Sequence, residues 1–173
     1  MNKYSLITAI AIVVIITPIL YGLWGIYSVE QLQMRTLDSE FSYFEMTNYE
    51  KIEICNPLPF FVSFNVIEIQ VYYTDDLKGI FEIESTTINP NTSQETDLKF
   101  SSDSFSESQY LFMHMDGQFS GEMPARLDAN QMIVVTDFET RIIGIIPYHS
   151  TITQSAFDFT KMMNEDSMCE NQN

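Results

Sequence analysis

Basic residues are scarce in this chain. Of 173 residues, 8 are Lys or Arg and 24 are Asp or Glu, so the formal net charge is −16. Proteins that bind nucleic acids need Lys and Arg for the phosphates, and anionic lipid head groups attract the same side chains. The composition therefore excludes nucleic acid as a partner. Two interpretations of the acidic surface stay open: simple resistance to association, and life in a salty medium that screens the repulsion.

Histidine and cysteine are also scarce, with two of each. His114 lies in an apolar run and His149 follows Pro147 and Tyr148, so neither has a triad motif beside it. A zinc site needs three or four suitably spaced ligands, which this sequence does not offer. We predict a non-enzymatic protein with no catalytic residue, no cofactor and no metal. Calcium binding by acidic loops such as residues 75–79 stays open, although Lys78 opposes a cation there.

No charged residue lies between Lys3 and Glu30. The almost wholly apolar segment Tyr4–Tyr27 would form a helix of about 36 Å, whereas the hydrocarbon core is about 30 Å thick. We predict a transmembrane helix over residues 4–27, with the lipid bilayer as its partner. A cleaved signal peptide is the alternative. Its apolar part would be about 7–15 residues and end at small side chains, whereas this segment ends in Tyr21, Trp24 and Tyr27.

The few flanking charges predict the orientation of this helix. The N-terminal side has Lys3 and no acid, whereas the other side begins with Glu30. Because positive charge favours the cytoplasmic side, we predict a single-pass cell-membrane protein. Residues 1–3 would be cytoplasmic and the main domain extracytoplasmic. Residues 28–39 would form a polar juxtamembrane stalk.

Short apolar–polar alternations follow, separated by turn residues. Their spacing predicts an all-β domain over residues 40–160, an antiparallel β-sandwich of eight or nine strands, with a polar tail over 161–173. Ten candidate segments could supply these strands: Phe41–Met46, Tyr49–Cys55, Phe60–Val66, Glu68–Thr74, a segment from Phe81, Leu98–Phe100, Tyr110–Met115, Met132–Phe138, Arg141–Ile146 and Tyr148–Phe159. Ser101–Gln109 is predicted to be an exposed loop and Gly117–Asn130 a long connection.

Two features concern covalent modification. Cys55 is predicted to lie on the solvent face of its strand, where Cys169 on the tail could reach it. A disulfide between them would stabilise the fold by up to roughly 4–5 kcal/mol, and two free thiols are the alternative. The sequon Asn91-Thr92-Ser93 lies between turn residues, which makes Asn91 a glycosylation site in a cell with the machinery.

Turn residues separate the predicted strands. Pro57 cannot donate to a strand ladder, and the side chain of Asn56 before it can bond nearby backbone and hold the bend. Gly79 closes the segment Asp75–Gly79, which is predicted to be a hairpin loop with positive φ at the glycine.

These motifs resemble the LEA type 2 family, also called the water-stress-hypersensitivity (WHy) domain. The residues that carry the resemblance are Ile52 and Ile54 before Asn56-Pro57, Leu58–Phe60, Ile69–Tyr73, Lys78-Gly79, Ile88–Pro90 and Ile142–Ile146. The resemblance implies a β-sandwich of fibronectin- or immunoglobulin-like outline, a single N-terminal span, and a non-enzymatic role linked to stress or desiccation. It carries over no catalytic residues.

We therefore expect a membrane-anchored external β domain with a binding or structural role at the cell surface. A protein partner would meet Asp75–Gly79 or the segment from Ser101 to Asn130, because long polar loops carry binding residues. The alternative is an accessory subunit of a membrane complex. In that case the span would pack against partner helices through Ala9, Ala11, Gly22 and Gly25.

Overall fold

The computed structural model describes residues 3–37, 40–49, 51–124, 126–142, 146–165 and 169. These residues form four helices and seven strands. The helices are α1 Lys3–Glu30, α2 Tyr43–Met46, α3 Phe105–Phe119 and α4 Ala156–Met163, with a 3₁₀ turn at Ala129–Gln131. The strands are β1 Gln33–Arg35, β2 Lys51–Asn56, β3 Val62–Tyr73, β4 Asp76–Ile88, β5 Thr92–Ser101, β6 Met132–Ile142 and β7 Ile146–Ser155.

The seven strands form one antiparallel sheet in the order β1-β2-β5-β4-β3-β6-β7. β5 changes its partner halfway along. Thr92–Asp97 pairs with β2, and Leu98–Ser101 pairs with β4. The sheet therefore curls into a half-barrel. The prediction of a mainly antiparallel β protein is confirmed, but all the described strands belong to a single curled sheet.

The core lies on one face of this sheet. Ile67 and Ile69 of β3 stand opposite Ile83 and Phe81 of β4, and β6 adds buried side chains at alternate positions. Helices α2, α3 and α4 cover this face with aromatic rings. Tyr43 is fully buried between Phe112 and Phe159, and its hydroxyl donates to the carbonyl of Ala156 over 2.9 Å.

Three predicted strands are partly or wholly helical. Tyr110–Met115 lies within α3, Phe41–Met46 contains α2, and the end of Tyr148–Phe159 begins α4. In α3 the buried residues Ser108, Leu111, Phe112 and Met115 follow a helical spacing, with Ser108 as the polar member. Because the segment Tyr110–Met115 is almost continuously apolar, its sequence did not reveal this helical period. The predicted loop Ser101–Gln109 is likewise helical from Phe105 onward.

The prediction that Gly79 closes the β3–β4 hairpin with a positive φ is wrong. The β3–β4 turn is Thr74-Asp75, both at positive φ, and β4 starts at Asp76. Gly79 is buried inside β4, and a Cβ there would lie 2.4 Å from Cε2 of Phe100. This glycine therefore serves close packing against a ring, while the turn uses two non-glycine residues.

The N-terminal region divides into an exposed helix and a docked end. Every side chain from Ile7 to Thr17 is exposed, whereas Ser28 and Val29 are buried. Part of the predicted stalk is β1, which pairs with β2. A search of the described residues for a helix long and apolar enough to span a membrane returned none.

Candidate functional site

A groove of about 760 Å³ lies between α2, α3 and α4. Its walls come from three parts of the chain, at residues 40–45, 113–123 and 157–165. We call it the α-groove. The helical folding of segments predicted to be strand or loop creates it. Part of the segment from Ser101 to Asn130, which the sequence predicted to meet a partner, therefore forms one wall.

Asp116 fixes the geometry of the α-groove. Its Oδ2 accepts from the Ser42 hydroxyl and the Phe44 amide at 2.8 Å each, and its Oδ1 accepts from the Tyr43 amide at 3.0 Å. This carboxylate of α3 thus satisfies the amides at the N-terminus of α2. Burial raises the pKa of Asp116 despite these three bonds, and the nearby Glu45 raises it further. Its oxygens are committed to the fold, which makes it a positioning residue.

The lining of the α-groove combines negative charge with apolar surface. Its acids are Glu40, Glu45, Asp116, Glu122 and Glu165, and its base is Lys161. Beside them, Phe157, Met113 and Met123 are exposed, and Phe44 and Phe119 are half-buried. Such a surface suits a ligand with basic and apolar groups, because charge complementarity guides encounter and apolar burial adds affinity.

The two cysteines are joined away from this groove. Cys55 and Cys169 form a disulfide with a Cα–Cα distance of 6.0 Å. Cys55 is buried, which corrects its predicted place on a solvent-facing surface. β1 lies beside it, since Gln33 pairs with Cys55.

Asn56 is fully buried at the end of β2. Its Nδ2 donates toward the carbonyls of Phe60, Ile88 and Asn89 at 2.8, 3.3 and 3.1 Å. Its Oδ1 accepts from the Leu58 amide at 3.0 Å. The amide therefore holds the bend at Pro57 and ties it to the β4–β5 turn. The expectation that this side chain bonds local backbone is confirmed.

The remaining predicted site residues are scattered. Asn91 is exposed in the β4–β5 turn at a φ of 52°, while Gly79 is buried inside β4. Asp75 lies in the β3–β4 turn, outside the groove lining. The segment around Gly144 in the family-like strand Ile142–Ile146 lies outside the described residues.

His114 and His149 lie outside the lining of the α-groove. His114 stacks on Tyr110 with ring centroids 4.1 Å apart, and its Nδ1 lies 2.8 Å from the Tyr110 carbonyl. Among the described residues, no group of three or more His, Cys, Asp or Glu is placed to hold a metal ion. Comparisons with protein-family models and with curated proteins find no match for this chain.

Proposed function

We propose that this protein is a non-enzymatic, single-pass membrane protein whose extracytoplasmic β domain binds a partner protein. The partner contributes a basic, partly apolar segment, which enters the α-groove. The single observation that carries the binding role is the lining of this groove, where five acids and one lysine stand beside exposed aromatic and methionine side chains.

The anchor in this proposal is the complete segment Tyr4–Tyr27, which has no charged residue. Among the described residues no helix meets the length and apolarity needed to span a membrane, so the anchor is proposed from the sequence of this segment. The exposure of Ile7–Thr17 supports it, because apolar surface in water costs about 25 cal/mol per Å². A bilayer would remove that cost along the helix.

The proposed side of the membrane has two supports. Lys3 precedes the segment and no acid does, which favours a cytoplasmic N-terminus. The Cys55–Cys169 disulfide suits an oxidising, external compartment. The net charge of −16 disfavours nucleic acid as a partner.

Charge reversal in the groove tests the binding role. The full chain is purified from native membranes with its co-purifying proteins, carrying Glu122→Lys and Glu165→Lys, two exposed acids of the lining. Asp103→Lys with Glu107→Lys is the matched control, since both acids are exposed and outside the lining. We expect the groove variant alone to lose its partner. Equal retention or equal loss in the two variants would refute groove binding.

An accessory subunit is the second candidate, favoured by the exposed helix α1. Small residues such as Ala9 and Ala11 allow close helix packing. Replacing residues 4–27 by a generic apolar helix separates the candidates. A stand-alone external module would keep its partner after this exchange, and a subunit held through its span would lose it.

We further propose that the domain is related to the LEA type 2 family and serves under water stress. The bend at Asn56-Pro57 supports this, because its buried amide holds the connection that carries the best family-like motif. Deleting the gene and comparing survival after drying with survival in growth medium tests the role. Equal survival of deleted and parental cells after drying would count against it.

A further inference from the structure

Two connections at one end of the sheet contain no charged residue, and we call this the charge-free end. Residues 56–67, which connect β2 to β3, contain no Asp, Glu, Lys or Arg, and neither do residues 85–94, which connect β4 to β5. The two connections are neighbours. Val62 pairs with Ile88, and the amide of Asn91 donates to the carbonyl of Leu58 over 3.0 Å. The lack of acidic residues in these two connections distinguishes them from the rest of a chain that has 24.

The acids gather at the opposite end. Thr74 in the β3–β4 turn bonds the carbonyl of Gln131, and Ile133 pairs with Ser155, so these segments share that end of the sheet. The acids on these connections and the adjoining segments are Asp75, Asp76, Asp128 and Asp158. Charged residues that border the charge-free end in the described part of the chain include Glu139, which accepts from Asn65, the exposed Arg141, and Glu30, which accepts from Ser150. The domain is therefore polarised along its strands.

Helix α1 joins the domain at the charge-free end. The rings of Trp24 and Phe60 meet edge to face with centroids 5.2 Å apart. Further along, Val29 is buried, and Glu30 accepts from the Ser150 hydroxyl over 2.8 Å. Six residues of helix rise by about 9 Å, so Trp24 lies at the rim of the domain when Glu30 lies within it. The chain before Trp24 leaves the domain at this rim.

The same rim exposes large apolar side chains. Phe61 is 66% exposed, Trp24 is 60% exposed, and Ile146 at the start of β7 is 55% exposed. We define the apolar rim as Leu58–Phe61, Asn89–Asn91 and Ile146. It is continuous with α1 through the Trp24–Phe60 contact.

We infer that the apolar rim is a second membrane contact, with Phe61 inserted into the interfacial layer of the bilayer beside α1. This inference rests on the proposed anchor. Aromatic side chains favour that layer, and an acid-free surface avoids repulsion by anionic head groups. The β domain is then held against the membrane by one helix and one loop.

The only tryptophan of the chain makes a direct test available. The full chain is reconstituted into phosphatidylcholine vesicles with brominated acyl chains, which quench tryptophan fluorescence by contact. The probes are the unmodified chain, Trp24→Phe with Phe61→Trp, and Trp24→Phe with Phe157→Trp. Phe157 is the matched control, because it is 61% exposed and comes two residues after Ser155, which lies at the acidic end of the sheet.

We expect the probe at position 61 to emit at shorter wavelength and to be quenched by the brominated lipid. The probe at position 157 should be quenched by iodide in water and unaffected by the lipid. If position 61 behaves like position 157 while Trp24 is quenched, the rim contact is refuted and the anchor stands. If neither Trp24 nor position 61 is quenched, the anchor fails as well.

A folding control accompanies each variant. Non-reducing electrophoresis reports the Cys55–Cys169 bond, and far-ultraviolet circular dichroism reports the sheet. If the variant at position 61 does not fold, Trp24→Phe with Ile146→Trp replaces it as the rim probe. An aqueous emission from Ile146→Trp in vesicles that quench Trp24 would likewise refute the contact.

Discussion

At the residue scale, single polar side chains hold connections that are distant in sequence. Asn56 joins the β2–β3 bend to the β4–β5 turn, and Asp116 of α3 satisfies the start of α2. The role of Asn56 could be predicted, since an Asn before Pro after an apolar strand favours local side-chain bonds. The role of Asp116 could not, because its partners Ser42–Phe44 lie about 70 residues earlier and nothing local indicates their proximity.

The substitution Asn56→Asp tests the first of these. The carboxylate would replace a donor that faces three carbonyl oxygens in a buried site. We expect the free energy of unfolding to fall by about 3 kcal/mol, measured by urea denaturation of the full chain in detergent micelles. The matched control is Asn91→Asp in the exposed turn, with an expected change below about 0.5 kcal/mol. Equal effects of the two substitutions would contradict the role of Asn56.

The pair Arg35–Glu53 predicts a pH dependence. Partial burial alone would raise the pKa of Glu53, but hydrogen bonds from Arg35 and Ser93 and the charge of Arg35 hold it below the ordinary 4.5. A lowered pKa means that the stabilisation is present above the unfolded value and is lost as pH falls through the folded one. We expect Glu53→Gln to cost about 1 kcal/mol of unfolding free energy at pH 7 and almost nothing in strong acid.

The control for this prediction is Glu95→Gln, which removes an exposed carboxylate 3.4 Å from Lys51. Exposed pairs contribute little, so its effect should stay below about 0.5 kcal/mol at every pH. Denaturation curves collected from neutral to acid pH measure both variants. A Glu53→Gln deficit that persists unchanged in acid would show that the charge of Glu53 is not its source.

At the element scale, most strands and the helical state of residues 4–27 were predictable, whereas helices α2, α3 and α4 were not. Alternation in Glu68–Thr74 marks a half-buried strand, and β3 indeed runs through it to Tyr73. Helix α4 is capped by Ser155, whose hydroxyl accepts from the Asp158 amide, and its buried residues Ala156, Phe159 and Met163 follow a helical period. That capping pattern was present in the sequence. Because α4 has only eight residues, its helical period was too short to outweigh the strand-like alternation of the preceding segment.

The β3–β4 hairpin offers a stabilising change. Thr74 and Asp75 occupy positive φ, which is strained for a β-branched residue and suits Asn-Gly. We expect Thr74→Asn with Asp75→Gly to raise the free energy of unfolding by about 1 kcal/mol in thermal and urea denaturation. Thr87→Asn, in an exposed and extended position of β4, is the control and should give no gain. An unchanged or lowered midpoint in the hairpin variant would contradict the strain.

At the scale of the whole molecule, the α-groove could not be predicted. It forms only when three short helices converge on one face of the sheet, and its walls come from residues 40–45, 113–123 and 157–165. The sequence alone allows both a disulfide and two free thiols, because two cysteines separated by 114 residues carry no local evidence of proximity. Both features depend on tertiary contacts that composition and period do not encode.

The disulfide predicts a large share of the stability. We expect Cys55→Ser with Cys169→Ser to lower the free energy of unfolding by about 2–5 kcal/mol, because the bond restricts a long loop of the unfolded chain. Reductant should lower the unfolding midpoint of the unmodified protein to a similar extent. It should leave the double variant unchanged, which is the control. Equal midpoints for the oxidised protein and the double variant would contradict the prediction.

The Cys55–Cys169 bond also determines how this protein could be shed from a cell. A single protease cut between residues 55 and 169 leaves both fragments linked through the bond, so neither would leave the proposed anchor. Only a cut between the end of α1 and Cys55 would release the β domain in one step. A nicked but retained molecule should therefore run as one band without reductant and as two bands with it.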